Sequence, residues 1–434
     1  MRKHLYTILF ILPAFFLHAQ SLYFPPITGN TWDTLSPSSL GWCTDQINPL
    51  FDFLEGSNTK AFIILKDGKI VIEHYFGSFT RDSIWYWASA GKTMTSFMVG
   101  IAQQEHKLSI QDTTSQYLGL GWTDCTPAQE DKITIRHQLT MTAGLDDGVP
   151  ENYCTLDTCL IYKADAGTRW AYHNAPYTLL DEVIQNATGV SLNNYINQKL
   201  KTSTGITGAF IPSGYNNVFF SKARSMARFG LLILNQGNWN GNQIMTDTAY
   251  FNQMVNTSQA LNLSYGYLWW LNGKASFRLP TLQFVFPGPL CPHAPADMIM
   301  ALGKNGQIIN VVPDQNLVLI RMGEVPGSGE VSNTYNDTIW QKLNNVLCAV
   351  SALSNAVEEN DLNIFPNPAQ QTFTIEVGEG SFDFQLSDIS GVVVRSETHV
   401  SSRAKIDCSD LAGGVYFIRV NTGGKMFARK IIMQ

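Results

Sequence analysis

The chain predicts a mixed α/β (α+β) fold: an antiparallel sheet flanked by helices with an inserted helical subdomain, followed by a small all-β sandwich. Three observations predict it. Apolar, strand-like runs lie near residues 61–73 and again between 265 and 321, with helical periodicity between them. Strands at both ends of a helical stretch are expected to share one sheet. A polar, aperiodic stretch at 354–361 then breaks the pattern, and short alternating strands separated by glycines follow it, as in a sandwich.

The elements run as follows. Arg2 and Lys3 precede an apolar run from Leu5 to Leu17, and His18-Ala19-Gln20-Ser21 offers a small-residue cleavage site. Residues 1–19 therefore read as a secretory signal peptide. No later stretch reaches roughly 18 apolar residues, so no transmembrane helix is expected in the mature chain. Residues 20–60 form an extended lead-in with one helix, and 61–73 form a hairpin turned at Asp67-Gly68. A helix follows Ser89. Loops and helices continue to about 255, including 133–140 and the amphipathic 223–234. Strands return at 265–270, 307–312 and 317–321, and a closing helix is expected over roughly 335–352. The expected division is a signal peptide (1–19), a main domain (20–353), a linker (354–361) and a sandwich domain (362–434).

The formal charge is −6 and no long basic run occurs, so nucleic acid is not an expected partner. All seven cysteines follow the leader, in an oxidising compartment, and the odd number leaves at least one unpaired or paired between chains. Cys154 and Cys159 are close enough to staple a local loop; the other pairings stay open. There is no C-x-x-C and no H-E-x-x-H, and the eight histidines are scattered. No metal or other cofactor is expected.

Chemistry is concentrated at 87–93. Ser89 and Lys92 stand three residues apart at the start of an apolar helix, so one turn brings the Lys92 amine to the Ser89 face. A serine hydroxyl needs a base to become a nucleophile, and a lysine of lowered pKa can serve. The helix start also offers N–H groups to an oxyanion. Two other S-x-x-K matches exist, at Ser57–Lys60 and Ser402–Lys405. Only Ser89 follows an aromatic strand-like run, Ile84-Trp85-Tyr86-Trp87, and opens an apolar helix. A second proton handler is offered by Tyr172-His173-Asn174, which follows a Gly167-Thr168 turn and precedes a helix at Pro176. Tyr195, Tyr215 and Tyr250 also head Y-x-N triplets but lack those flanks. His173 is expected to be exposed rather than catalytic. Trp85, Trp87, Trp170, Trp269 and Trp270 are expected mostly in the core.

With both motifs in this order, the chain resembles the serine beta-lactamase and penicillin-binding-protein superfamily, on its class C and esterase side, over roughly 45–350. Leu139-Thr140-Met141-Thr142-Ala143-Gly144-Leu145, Ala227-Arg228-Phe229-Gly230-Leu231-Leu232 and Tyr265-Gly266-Tyr267-Leu268-Trp269-Trp270 carry the same likeness. The third motif departs. Ala301 stands where the family usually has Lys or His two residues before a strand glycine, here Gly303. That loss argues against binding the carboxylate of a beta-lactam or a peptide end. The string Ala301-Leu302-Gly303-Lys304-Asn305-Gly306-Gln307 is instead similar to the 6-aminohexanoate-dimer hydrolase and esterase branch.

The resemblance implies Ser89 as nucleophile, Lys92 as proton acceptor and Tyr172 as the proton shuttle to the leaving group. Asn174 would orient the lysine or bind a substrate carbonyl, and the N–H groups of Ser89 and Lys304 would form the oxyanion hole. Asn363-Ile364-Phe365-Pro366-Asn367-Pro368, Asp388-Ile389-Ser390-Gly391 and the 411–418 segment resemble a type IX secretion sorting domain. That likeness implies the type IX machinery as partner, with export through the periplasm of a Gram-negative bacterium to the surface or medium. The expected function is an exported serine hydrolase acting through an acyl-enzyme on esters or small amides. The alternatives are a D-amino-acid peptidase or beta-lactamase, and a catalytically silent binding protein on the same fold.

Overall fold

The computed structural model describes residues 22–326, 332–348, 362–378, 380–422 and 425–434. The expected signal peptide and the 354–361 linker lie outside the described residues.

Helix α1 (Ile47–Gly56) leads into the predicted hairpin, β1 (Thr59–Lys66) and β2 (Lys69–Tyr75). Asp67 and Gly68 both take positive φ, 52° and 80°, which gives the two-residue turn the right twist for the strands. After the short β3 (Ile84–Tyr86) comes α2 (Lys92–Gln104), then the small α3 (Ile135–Leu139), α4 (Asn174–Thr178) and α5 (Leu180–Thr188). Strands β4 (Ala209–Ser213) and β5 (Asn216–Lys222) join β3 in a small sheet, and α6 (Ala223–Leu234) follows. The chain returns to the main sheet as β6 (Trp270–Leu271), β7 (Ile299–Gly303), β8 (Gln307–Val312) and β9 (Leu317–Gly323), and α7 (Ser332–Val346) closes the unit.

The main sheet runs β2-β1-β9-β8-β7-β6, with every neighbour antiparallel. The first and last strands of the unit pair at its centre, Ile63 opposite Ile320. Helices cover both faces, so β7, β8 and β9 are buried at every position and read as continuous apolar runs rather than alternating ones. Helix α6 lies very close to the sheet: a Cβ on Gly230 would come within 2.5 Å of Val318 Cγ1.

Two expectations are corrected. The 265–270 run is not a strand along its length. Leu268 takes a left-handed φ of 61°, and Tyr265 bridges back to Trp270, so the segment is a tight reversal and only Trp270–Leu271 joins the sheet. The closing helix stops at Val346, where the chain turns and Cys348, with φ 49°, bonds to Cys43. Cys154 and Cys159 form the expected local disulfide, and Cys125, Cys291 and Cys408 are free.

The C-terminal unit packs the sheet β10-β11-β14 against β13-β12-β15-β16. These strands are β10 (Leu362–Phe365), β11 (Thr372–Val377), β12 (Phe382–Asp388), β13 (Val393–Val400), β14 (Arg403–Asp407), β15 (Gly414–Thr422) and β16 (Lys425–Met433). It has its own core around Phe373, Ile375, Leu386, Ile418 and Ile431. Among the described residues no sheet mixes strands of the two units. They touch where Phe417 stacks on Phe284, with ring centroids 5.2 Å apart.

One buried cation ties the sheet to the loop beyond β7. The Arg321 side chain, on β9, is fully buried. Its guanidinium donates to the carbonyls of Asn305, Gly306, Ser57 and Glu324 and to Thr59 Oγ1. Arg321→Ala should cost roughly 3 kcal/mol or more, because several buried carbonyls lose their donor together. Urea unfolding checks this, and a loss below about 1 kcal/mol would remove the tie.

Candidate active site

The aromatic strand β3 delivers the serine. Tyr86 pairs with Phe220 of β5, the Trp87 N–H donates to the Phe219 carbonyl, and the Trp87 indole donates to Ser221 Oγ at 2.8 Å. With Trp87 fixed in the core, the chain reverses through Ala88, whose φ is 47°. A short 3-10 turn, Ala88–Gly91, then feeds α2. Ser89 sits on that turn, half-buried, rather than within the regular helix.

Lys92, one turn on, is 3 % exposed. Its Nζ lies 3.0 Å from Ser89 Oγ and 2.9 Å from Asn174 Oδ1, and 3.9 Å from the centre of the Tyr177 ring. Burial disfavours the ammonium and lowers the Lys92 pKa to about 7; the Asp181 carboxylate opposes that shift. Tyr172 lines the same cleft as Ser89, and its ring centre lies 5.2 Å from Lys92 Nζ. Its ring stacks on Trp270 at 5.8 Å and meets Tyr265 edge-on, and burial raises its pKa further above the usual phenol value. The two sequence motifs thus converge: Ser89, Lys92, Tyr172 and Asn174 form one contiguous group.

Asn174 opens α4 with its amide oriented by two partners. Oδ1 accepts from Lys92, and Nδ2 donates to Asn152 Oδ1 at 2.9 Å. Asn152 in turn donates to the Asp147 carbonyl, and Asp147 pairs with Arg169 at 2.6 Å. The Cys154–Cys159 disulfide follows directly on this loop. Asn152 carries no motif and was not expected from the sequence. Tyr177 and Asp181 were also missed, although their four-residue spacing after Tyr172-His173-Asn174 was a usable signal.

Opposite Ser89, the end of β7 approaches the nucleophile turn. A Cβ on Gly303 would fall 2.4 Å from the Trp87 carbonyl oxygen and 3.0 Å from the Ala90 nitrogen. Only glycine allows that approach. The turn beyond is held by Arg321 and by Asn305, whose Nδ2 donates to the Tyr86 hydroxyl at 2.7 Å. Lys304 is exposed and Leu302, Gly303 and Lys304 line the cleft, whereas Ala301 is fully buried and does not.

The cleft measures about 670 Å³, and much of its wall is apolar, with Trp270, Leu279, Pro280, Leu290, Leu302 and Val325 contributing. Among the described residues its charged lining residues are Lys304 and the paired Asp147. Of the five tryptophans named above, Trp270 reaches the cleft, Trp85 is half-buried, and Trp87, Trp170 and Trp269 are fully buried. His173 is not exposed as expected: it is 4 % exposed, and burial lowers its pKa to about 4. The rival motifs serve structure. Ser57 Oγ bonds the Tyr335 hydroxyl, Lys60 pairs with Glu324, and Ser402 and Lys405 are exposed on the sandwich. The Tyr195 and Tyr250 hydroxyls go to Glu105 and to the Ser96 carbonyl.

Comparison with known proteins bears on the family and the fold. An uncharacterized protein of Alkalihalophilus pseudofirmus is 26 % identical over 325 residues, covering 66 % of this chain and 89 % of its own. A solved structure from Bacillus anthracis, named for 6-aminohexanoate-dimer hydrolase, superposes with a TM-score of 0.55 at 18 % identity, covering 76 % of this chain and 89 % of that one. EstCE1, a hydrolase with promiscuous acyltransferase activity, gives 0.52 at 13 % identity, covering 71 % and 99 %. Both structural likenesses concern the fold. Residues 363–434 match the secretion system C-terminal sorting domain, so the chain carries a tail of the kind that directs proteins to secretion or the cell surface. Residues 55–342, which hold the sheet, the helices and the whole serine–lysine–tyrosine group, match the beta-lactamase family model, and the chain belongs to that family.

Proposed function

We propose that the chain is an exported serine hydrolase that cleaves neutral esters or small amides through an acyl-enzyme. The observation that carries this reading is the buried Lys92 amine, held between Ser89 Oγ and Asn174 Oδ1. In its neutral form the amine accepts the Ser89 proton as Oγ attacks the substrate carbonyl carbon. The N–H groups of Ser89 and Lys304 receive the oxyanion. Tyr172 passes a proton to the leaving group as the C–O or C–N bond breaks. Water then attacks the acyl-enzyme, the same groups return the proton to Ser89, and the acid is released. The largely apolar wall suits an uncharged acyl group. The proposed enzyme unit is 20–353, and 362–434 is the part recognised by the type IX machinery, after passage through the periplasm and removal of 1–19.

Four outcomes are expected. Intact-mass analysis after fluorophosphonate treatment shows one adduct, absent in Ser89→Ala; an adduct persisting in that variant overturns the assignment and no adduct on the wild type favours the silent binder. Lys92→Ala and Tyr172→Phe each lower kcat by ~10² or more. Because Lys92 must be neutral to accept a proton, and its pKa is lowered to about 7, kcat/KM rises with pH through that region and levels off above it. A flat profile across it would exclude Lys92 as the base. Short nitrophenyl esters are turned over faster than nitrocefin, and the reverse order would favour the beta-lactamase reading.

A further inference from the structure

Lys92 meets Ser89 and Asn174 on one side and the Tyr177 ring on another. Lys92 and Thr95 are one turn apart on α2, and Tyr177 and Asp181 are four residues apart across the α4–α5 junction. The Tyr177 ring lies against Lys92 Nζ, and Thr95 Oγ1 donates to Asp181 Oδ1 at 3.2 Å. Asp181 is thus hydrogen-bonded to the residue one turn along α2 from the lysine, on the same face of the helix. From β5, Asn217 Nδ2 donates to Asp181 Oδ2 at 2.9 Å. The Asn217 Oδ1 atom is buried without a partner. An amide can donate to a carboxylate or, turned over, accept from a carboxylic acid, so Asn217 suits either form of Asp181.

Asp181 does not line the cleft. It lines a separate recess of about 400 Å³ with Glu182, Asn193, Pro212 and Asn217, and the recess shares no residue with the cleft. The acid can therefore meet solvent without passing the substrate.

Resting on the serine-hydrolase reading above, we propose that Asp181 is the counter-charge of Lys92: a positioning residue that stabilises the ammonium formed when Lys92 takes the Ser89 proton. In that step the Ser89 O–H bond breaks, the proton joins the Lys92 lone pair, and the new positive charge faces the Asp181 carboxylate. When the proton leaves toward Tyr172 and the leaving group, Lys92 becomes an amine again. Asp181 touches neither substrate nor Ser89 in this scheme.

The remaining groups around the pair do not supply this charge. Tyr172 and Tyr177 are held in their neutral forms by burial. Glu182 is exposed at the recess, and Lys222, at the end of β5, pairs with Asp82 at 2.8 Å. Burial raises the Asp181 pKa to about 7 and lowers the Lys92 pKa to about 7, and the charge of each group opposes the other's shift.

The test is the pH dependence of fluorophosphonate labelling at Ser89 in the full chain, for wild type, Asp181→Asn and Asp181→Glu. Asp181→Asn removes the negative charge, so the midpoint of the rising limb moves acidward by about one pH unit, and Asp181→Glu moves it back toward wild type. A purely structural tie would lower the rate without moving the midpoint, and an unmoved midpoint in folded, labelled Asp181→Asn overturns the proposal. If Asp181→Asn does not fold, Thr95→Val and Asn217→Leu decide. Each removes a donor that keeps the carboxylate ionised, so each shifts the midpoint acidward by a smaller amount; unmoved midpoints in both overturn the proposal. Absence of labelling in the wild type overturns the serine-hydrolase reading instead, and this proposal with it.

Discussion

Burying a lysine amine is the constraint on which the rest of this site depends. An ammonium taken from water into the protein interior is costly unless it is paired, and the usual relief is to lose the proton. Lys92 keeps a position between those limits. Ser89, Asn174 and the Tyr177 ring supply polar and π contacts, and the Asp181 carboxylate opposes the effect of burial. The balance brings the pKa to about 7. An amine in that range can exist neutral and still gain a proton during the reaction, which is what a base for serine requires.

Holding that amine demands rigid support on every side. The strained Ala88 turn is affordable because Trp87 is locked by the Phe219 carbonyl, Ser221 and the Phe229 ring. The Tyr172 ring is fixed by aromatic groups from two segments, Trp170 and the Tyr265–Trp270 reversal. Asn174 is fixed by Asn152, on a loop closed by the Cys154–Cys159 disulfide. The opposite wall is set by Gly303, which permits the close approach of β7, and by Arg321, which gathers the carbonyls of the following turn. Apart from Trp87 and the Ala88 turn, these supports are far from the serine in sequence and adjacent to the site in space.

The chain separates this machinery from its address. The sandwich has its own core and its own sheets, and the match to a secretion sorting domain covers it alone. The Cys43–Cys348 disulfide joins the start and the end of the larger unit, so that unit is closed before the C-terminal one begins. A limited contact through Phe284 and Phe417 links the two.

The sequence by itself determined the sheet-forming runs, the Asp67-Gly68 hairpin, helix 223–234 and the order of the Ser89 and Tyr172 motifs. These signals are local: alternation, helical period and turn chemistry act within a few residues. It also picked Ser89 over Ser57 and Ser402 from the aromatic strand before it and the apolar helix after it. The tertiary structure alone decided the rest. It turned 265–270 into a reversal, buried His173 and Ala301, and brought Tyr177 to the lysine, Asn152 to Asn174 and Asp181 to Thr95. None of those outcomes is written in a short window. Each depends on which distant segment packs against the residue, and so on the burial and charge that only the folded chain supplies.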